Sequence, residues 1–155
     1  MLRIARRRTA VAVVAVAALV TSGLGAGWAR ANANEPPSYL GKPAASVAKA
    51  LGCDGYVEQP RRPGSVDFHN QGSCRLDGFT VKITTFNSAG EQRAFAILTN
   101  TLIPQYTHRG GAYAEGNGWN VADDIDLSKT LATRASVQLR GSVREFSAGT
   151  PSVRS

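Results

Sequence analysis

The 155-residue chain carries 18 Lys and Arg against 11 Asp and Glu, a formal charge of +7, and two cysteines. Five of the basic residues (Arg3, Arg6, Arg7, Arg8, Arg30) and none of the acidic ones fall in residues 1–33. The other 122 residues therefore hold 13 basic and 11 acidic side chains, a balance of +2. The basic character belongs to the leader, so no nucleic-acid partner is expected from it, and 122 residues suffice for one domain.

Residues 1–33 have the order of a secretory signal peptide. A basic start is followed by the apolar run Ala10 to Val20, then a small, Gly-rich stretch. Two overlapping Ala-x-Ala sites follow, Ala29-Arg30-Ala31 and Ala31-Asn32-Ala33. The alternative is an uncleaved anchor, since Thr9 to Ala29 is uncharged and roughly 20 residues span a bilayer core. Only in that case does the chain meet a membrane. Arg7-Arg8 leaves the twin-arginine route open beside the general one. Residues 34–42 read as a flexible lead, 43–147 as a single domain and 148–155 as a loose tail.

Pro43 to Leu51 is predicted as a short helix. Ala44, Val47, Ala48 and Leu51 follow the i, i+3, i+4, i+7 spacing of a buried stripe, and Gly52 suits the C-terminal stop. Gly55 to Glu58 reads as a short strand. Gln59 to Gly64 is a loop around Arg61 and Arg62, flanked by prolines. Ser65 to His69 alternates, with Val66 and Phe68 inward, and Asn70-Gln71-Gly72 reads as a turn into Ser73–Leu76. Asp77-Gly78 suits a type I′ turn into a strand over Phe79 to Phe86, with Val81 and Ile83 on one face. The region from Gly64 to Phe86 is thus expected as a three-stranded meander.

Ser88-Ala89-Gly90-Glu91 is a capping box, and the helix after it places Phe95, Leu98 and Leu102 on one stripe that can cover the sheet. Pro104 is expected to break that helix, leaving Gln105 to Gly111 as a loop. Ala112 to Glu115 and Trp119 to Ala122 form a second hairpin around Gly116-Asn117-Gly118. Asp123, Asp124 and Asp126 lead into a last helix, roughly Leu127 to Arg140, with Gly141 as its C-cap and their negative charge at its N-terminus. Val143 and Phe146 belong to a possible final strand. The expected fold class is α+β, an antiparallel sheet of about four to six strands with two or three helices packed on one face.

Cys53 and Cys74 are expected to form one structural disulfide in an exported chain; a redox pair or a metal site is the alternative. The chain resembles small exported proteins of high-GC Gram-positive bacteria. The resemblance is carried by Cys53, Gly72-Ser73-Cys74, the strand Gly78-x-x-Val81-x-Ile83-x-x-Phe86, and Gly116-x-Gly118-Trp119 before the last helix. It implies compartment and fold class, and supplies no activity and no site residues.

No elbow, zinc-protease or Ser-x-x-Lys motif is present. Asp123, Asp124 and Asp126 lack the spacing of a calcium loop and read as helix-capping charge. No metal, cofactor or catalytic residue is therefore expected. Tyr106, His108, Arg109, Tyr113 and Trp119 form a candidate binding patch, because Tyr, Trp and Arg dominate interface energetics. For Trp119 the favoured reading is a place in the core, pinned between the sheet and the last helix. The expected function is a secreted or envelope-associated, non-enzymatic module that binds a protein or small ligand. The alternative is a small secreted hydrolase using His69 or His108.

Overall fold

The computed structural model describes residues 35–61, 67–123 and 128–148. The leader, Arg62, Val66, Asp124, Asp126 and the tail from 149 lie outside the described residues. Among the described residues nine elements follow one another from Pro36 onward. They are α1 (Ala44–Leu51), β1 (Asp54–Glu58), β2 (Asn70–Leu76), β3 (Phe79–Thr85), α2 (Ala89–Thr107), β4 (Gly111–Gly116), β5 (Trp119–Asp123), α3 (Lys129–Leu139) and β6 (Ser142–Phe146). The six strands make one sheet in the order β1-β2-β3-β5-β4-β6, and every neighbouring pair is antiparallel. The expected α+β architecture is therefore present, with helices against an antiparallel sheet.

Strand alternation sorts the side chains onto two faces. On one face Cys74, Leu76, Val81, Ile83, Ala112, Ala114, Trp119 and Val121 meet Val47, Ala48 and Leu51 of α1 and Leu131, Ala132, Ala135 and Leu139 of α3. The stripe expected on α1 is buried as a whole, at about 1.5–3 kcal/mol for a side chain the size of Leu51. Gln138 of α3 donates to the Ala50 carbonyl at 3.0 Å, tying the two helices together. The third helix, α2, faces the opposite side of the sheet, where Tyr113 and Glu115 point.

The local turn chemistry acts as expected at several points. Asp77 and Gly78 both adopt positive φ (54° and 84°) between β2 and β3. Gly52 closes α1 in the left-handed region. Ser88 Oγ accepts from the Glu91 N–H at 3.2 Å. The returning Glu91 carboxylate takes the Asn87 N–H at 2.9 Å, one residue earlier than the simplest capping box would have it.

Five expectations are corrected. Asn70-Gln71-Gly72 is not a turn but the first part of β2. The Asn70 side chain has a specific role there: its Oδ1 accepts from the Ala44 N–H at the start of α1 (2.9 Å) and from Tyr56 Oη (3.3 Å), while its Nδ2 donates to Glu58 (3.0 Å). Gly72 supplies room, since a Cβ there would fall inside the Tyr56 ring. Second, no strand covers Asp67 to His69; the first strand of the meander is β1 instead, although Phe68 is buried as expected.

Third, Pro104 does not end α2, which runs one more turn to Thr107 before His108 closes it in the left-handed region. A proline removes only the bond to the Asn100 carbonyl, so the last turn survives, with the Pro104 ring buried. Fourth, Arg140 rather than Gly141 takes the left-handed position after α3, while the Gly141 N–H reaches back to the Ser136 carbonyl at 2.8 Å. Fifth, the lead is docked from Tyr39 onward. Tyr39 is buried in the core, its N–H donates to the Asn117 carbonyl at 2.8 Å, and the Gly41 N–H donates to the Phe86 carbonyl at 2.8 Å.

Cys53 and Cys74 are joined as a disulfide, Cα to Cα 5.7 Å apart. Gly52 turns the chain out of α1 so that Cys53 meets the middle of β2, with Cys74 buried in the core. The bridge therefore fastens α1 to the sheet.

Candidate functional site

The residues of the expected aromatic patch do not share a surface. Trp119 has no exposed area and lies in the core between the sheet and α3. Tyr113 is 2% exposed and belongs to the other face. Tyr106 lies in the last turn of α2, with its side chain outside the described atoms, and His108 and Arg109 are exposed just beyond it. The hairpin register explains the split. Gly116 pairs with Trp119, so Tyr113 and Trp119 fall on strand positions of opposite parity.

Of these residues Tyr113 lines a hollow. Between α2 and strands β4 and β6 lies an open cleft of about 460 Å³, within the range of small-molecule sites. The helix side is built from Ala89, Arg93, Ala96 and Asn100, spaced four, three and four residues apart and hence on one face of α2. Tyr113 and Glu115 of β4 and Ser142 and Arg144 of β6 make the other wall. These are every second residue of their strands, as a wall on one face of a sheet requires.

Gln92 fixes the start of α2 over the tip of the β4–β5 hairpin. Its Nε2 donates to the Gly116 carbonyl at 2.8 Å and the Trp119 carbonyl at 3.1 Å, and its Oε1 accepts from the Gly118 N–H at 3.0 Å. Phe95 packs on Phe86 with ring centroids 5.3 Å apart. Further along, the helix is more loosely covered: Ile97 is 63% exposed, and Leu98 and Leu102 only partly covered, so the expected stripe shields the sheet chiefly through Phe95.

The polar groups of the cleft form a graded set. Glu115 accepts from Arg144 Nε at 2.5 Å, and this bond raises the Arg144 guanidinium above its ordinary value. Tyr113 Oη is sealed from solvent, with the Asn100 side chain next to it but outside good hydrogen-bonding geometry. Burial, then the Glu115 charge, push that hydroxyl above its ordinary value; the nearby Asn100 amide and Arg144 oppose them.

The chain matches no family model, no curated protein and no solved structure. The reading of the cleft therefore rests on its own chemistry. Among the described residues no group of three His, Cys, Asp or Glu is placed to hold a metal ion. His69 and His108 are both exposed, the first just before β2 and the second at the end of α2. Sequence reasoning missed Arg93, Asn100, Glu115, Ser142 and Arg144. The signal that could have found the helical part is the 89, 93, 96, 100 spacing, where small and polar residues alternate along one face.

Proposed function

We propose that this chain is an exported, disulfide-bonded binding module without enzymatic activity, and that the cleft beside α2 receives its ligand. The observation that carries this reading is the cleft itself. It is a concave site of small-molecule size, with Tyr113, Asn100, Arg93 and Arg144 converging beside the apolar Ala89, Ala96 and Ile97. Export is supported by the leader pattern in residues 1–33 and by the disulfide, since such bridges persist in oxidising compartments. No helix among the described residues is long and apolar enough to cross a membrane. The resemblance to exported proteins of high-GC Gram-positive bacteria belongs to the same proposal.

A small-fragment screen followed by NMR on the exported protein tests the site. Binding fragments are expected to shift the backbone amides of Ala96, Tyr113 and Glu115. Ala96→Trp, which fills the cleft from an exposed helix, is expected to abolish those shifts with the melting temperature unchanged. Fragments that gather elsewhere, or that ignore Ala96→Trp, would refute the assignment.

A further inference from the structure

We infer that the cleft between α2 and strands β4 and β6 takes a ligand that presents one carboxylate group next to a short apolar segment. This rests on the reading of the cleft as the binding site and names what the site selects.

The first observation is Tyr113. A hydroxyl on a residue 2% exposed is nearly always hydrogen-bonded, yet this one has the Asn100 amide beside it outside good hydrogen-bonding geometry, and the side chain lines the cleft. Its neighbours Asn100 and Arg144 are both exposed side chains on the cleft walls, able to swing and admit an acceptor to the hydroxyl. The raised position of its titration keeps the phenol protonated, and so a donor, at physiological pH.

The second observation is the charge count. Arg144 is neutralised by Glu115 at 2.5 Å. Arg93, on the facing helix, has no carboxylate partner among the described residues. The cleft thus holds one uncompensated positive charge, in the planar, forked form that matches a carboxylate. A carboxylate brings one negative charge and acceptor oxygens for both a guanidinium and a phenol. A phosphate dianion would set a second negative charge against Glu115 with no further cation to meet it, and a neutral amide would leave Arg93 unsatisfied. Ala89, Ala96 and Ile97 supply the apolar wall on which a short hydrocarbon segment rests.

The test is an NMR titration of the exported protein with butyrate, butyramide and inorganic phosphate in parallel. Butyrate is expected to give saturable shifts at the Arg93 Nε–H and at the Tyr113 and Ala96 amides. Butyramide and phosphate are expected to bind about tenfold or more weakly, the difference a charge-assisted pair supplies. Arg93→Gln, on an exposed helix position, should weaken butyrate by a similar factor without moving the melting temperature. Tyr113→Phe should weaken it about threefold or more, a neutral hydrogen bond being the smaller contribution. Butyramide binding as well as butyrate, phosphate binding more tightly, or indifference to Arg93→Gln would overturn the inference. If butyrate fails while fragments still occupy the cleft, the carboxylate assignment alone falls. If neither binds there, the reading of the cleft falls with it.

Discussion

Tyr113 and Trp119 sit six residues apart in one hairpin and serve opposite faces of one sheet. Both bury a polar atom outside good hydrogen-bonding geometry, Tyr113 Oη and Trp119 Nε1. For Tyr113 this sets a sign. Removing the hydroxyl in Tyr113→Phe removes an unpaired buried donor, so thermal unfolding at neutral pH should be unchanged or stabilised by up to about 1 kcal/mol. A loss of 2 kcal/mol or more would show that the hydroxyl is bonded in the folded protein. The pH dependence follows from the same burial. Tyr39, Tyr56 and Tyr113 all have their hydroxyls raised above the ordinary value of 10.0, burial being the leading cause. A raised value in the folded state means these groups' contribution is intact below about pH 10 and is lost as pH climbs through the folded values. Denaturant midpoints should therefore fall on the alkaline side, and less steeply in Tyr113→Phe. Asn70 offers a second test, because its side chain caps α1 from a neighbouring strand. Asn70→Ala should cost about 1–2 kcal/mol, measured by urea unfolding. That role was hidden in the sequence, where Asn-Gln-Gly is turn chemistry and no local pattern reveals a cap 26 residues away.

At the scale of elements, legibility followed the range of the interaction. The Asp77-Gly78 turn, the Ser88 cap and the α1 stripe are decided within four to eight residues, and each appears in the structure as the local chemistry requires. The pairing of β3 with β5 joins Val81 to Asp123 and Thr85 to Trp119 across a helix and a strand. Nothing local encodes that pairing, nor which hairpin face α2 would cover. Gln92 is the link that holds α2 to the sheet, and it too looks unremarkable in sequence. Gln92→Ala removes the acceptor for Gly118 and the donor to Gly116 and Trp119, a loss of about 1–3 kcal/mol for groups left partly buried. Hydrogen exchange should show faster opening in the first turns of α2 with β2 and β3 little affected. Uniform acceleration across the sheet would mean that α2 is part of the cooperative core. Gly118 belongs to the same corner. Its φ is +86°, and a Cβ would strike the backbone of Leu40, so Gly118→Ala should also release the docked lead.

Taken as a unit, the domain from Pro36 onward is built on a two-sided sheet. The face under α1 and α3 is apolar and buried, locked by the Cys53–Cys74 bridge and built for stability. The face under α2 is hollowed, mixed in polarity and only partly covered, and it is the proposed binding face. With its ends 21 residues apart in sequence, the bridge should contribute roughly 3 kcal/mol, so Cys53→Ser or Cys74→Ser should lower the melting temperature under oxidising conditions. The division between a stabilising face and a binding face presupposes that the bridge forms, and that in turn depends on export to an oxidising compartment. Intact-mass measurement of the protein from the extracytoplasmic fraction, with free thiols alkylated before any reduction, tests this most directly. A chain beginning at Asn32 or Asn34 is expected, with both cysteines unalkylated and the mass of the disulfide form. A full-length chain beginning at Met1, or a processed chain carrying two alkylated thiols, would contradict it.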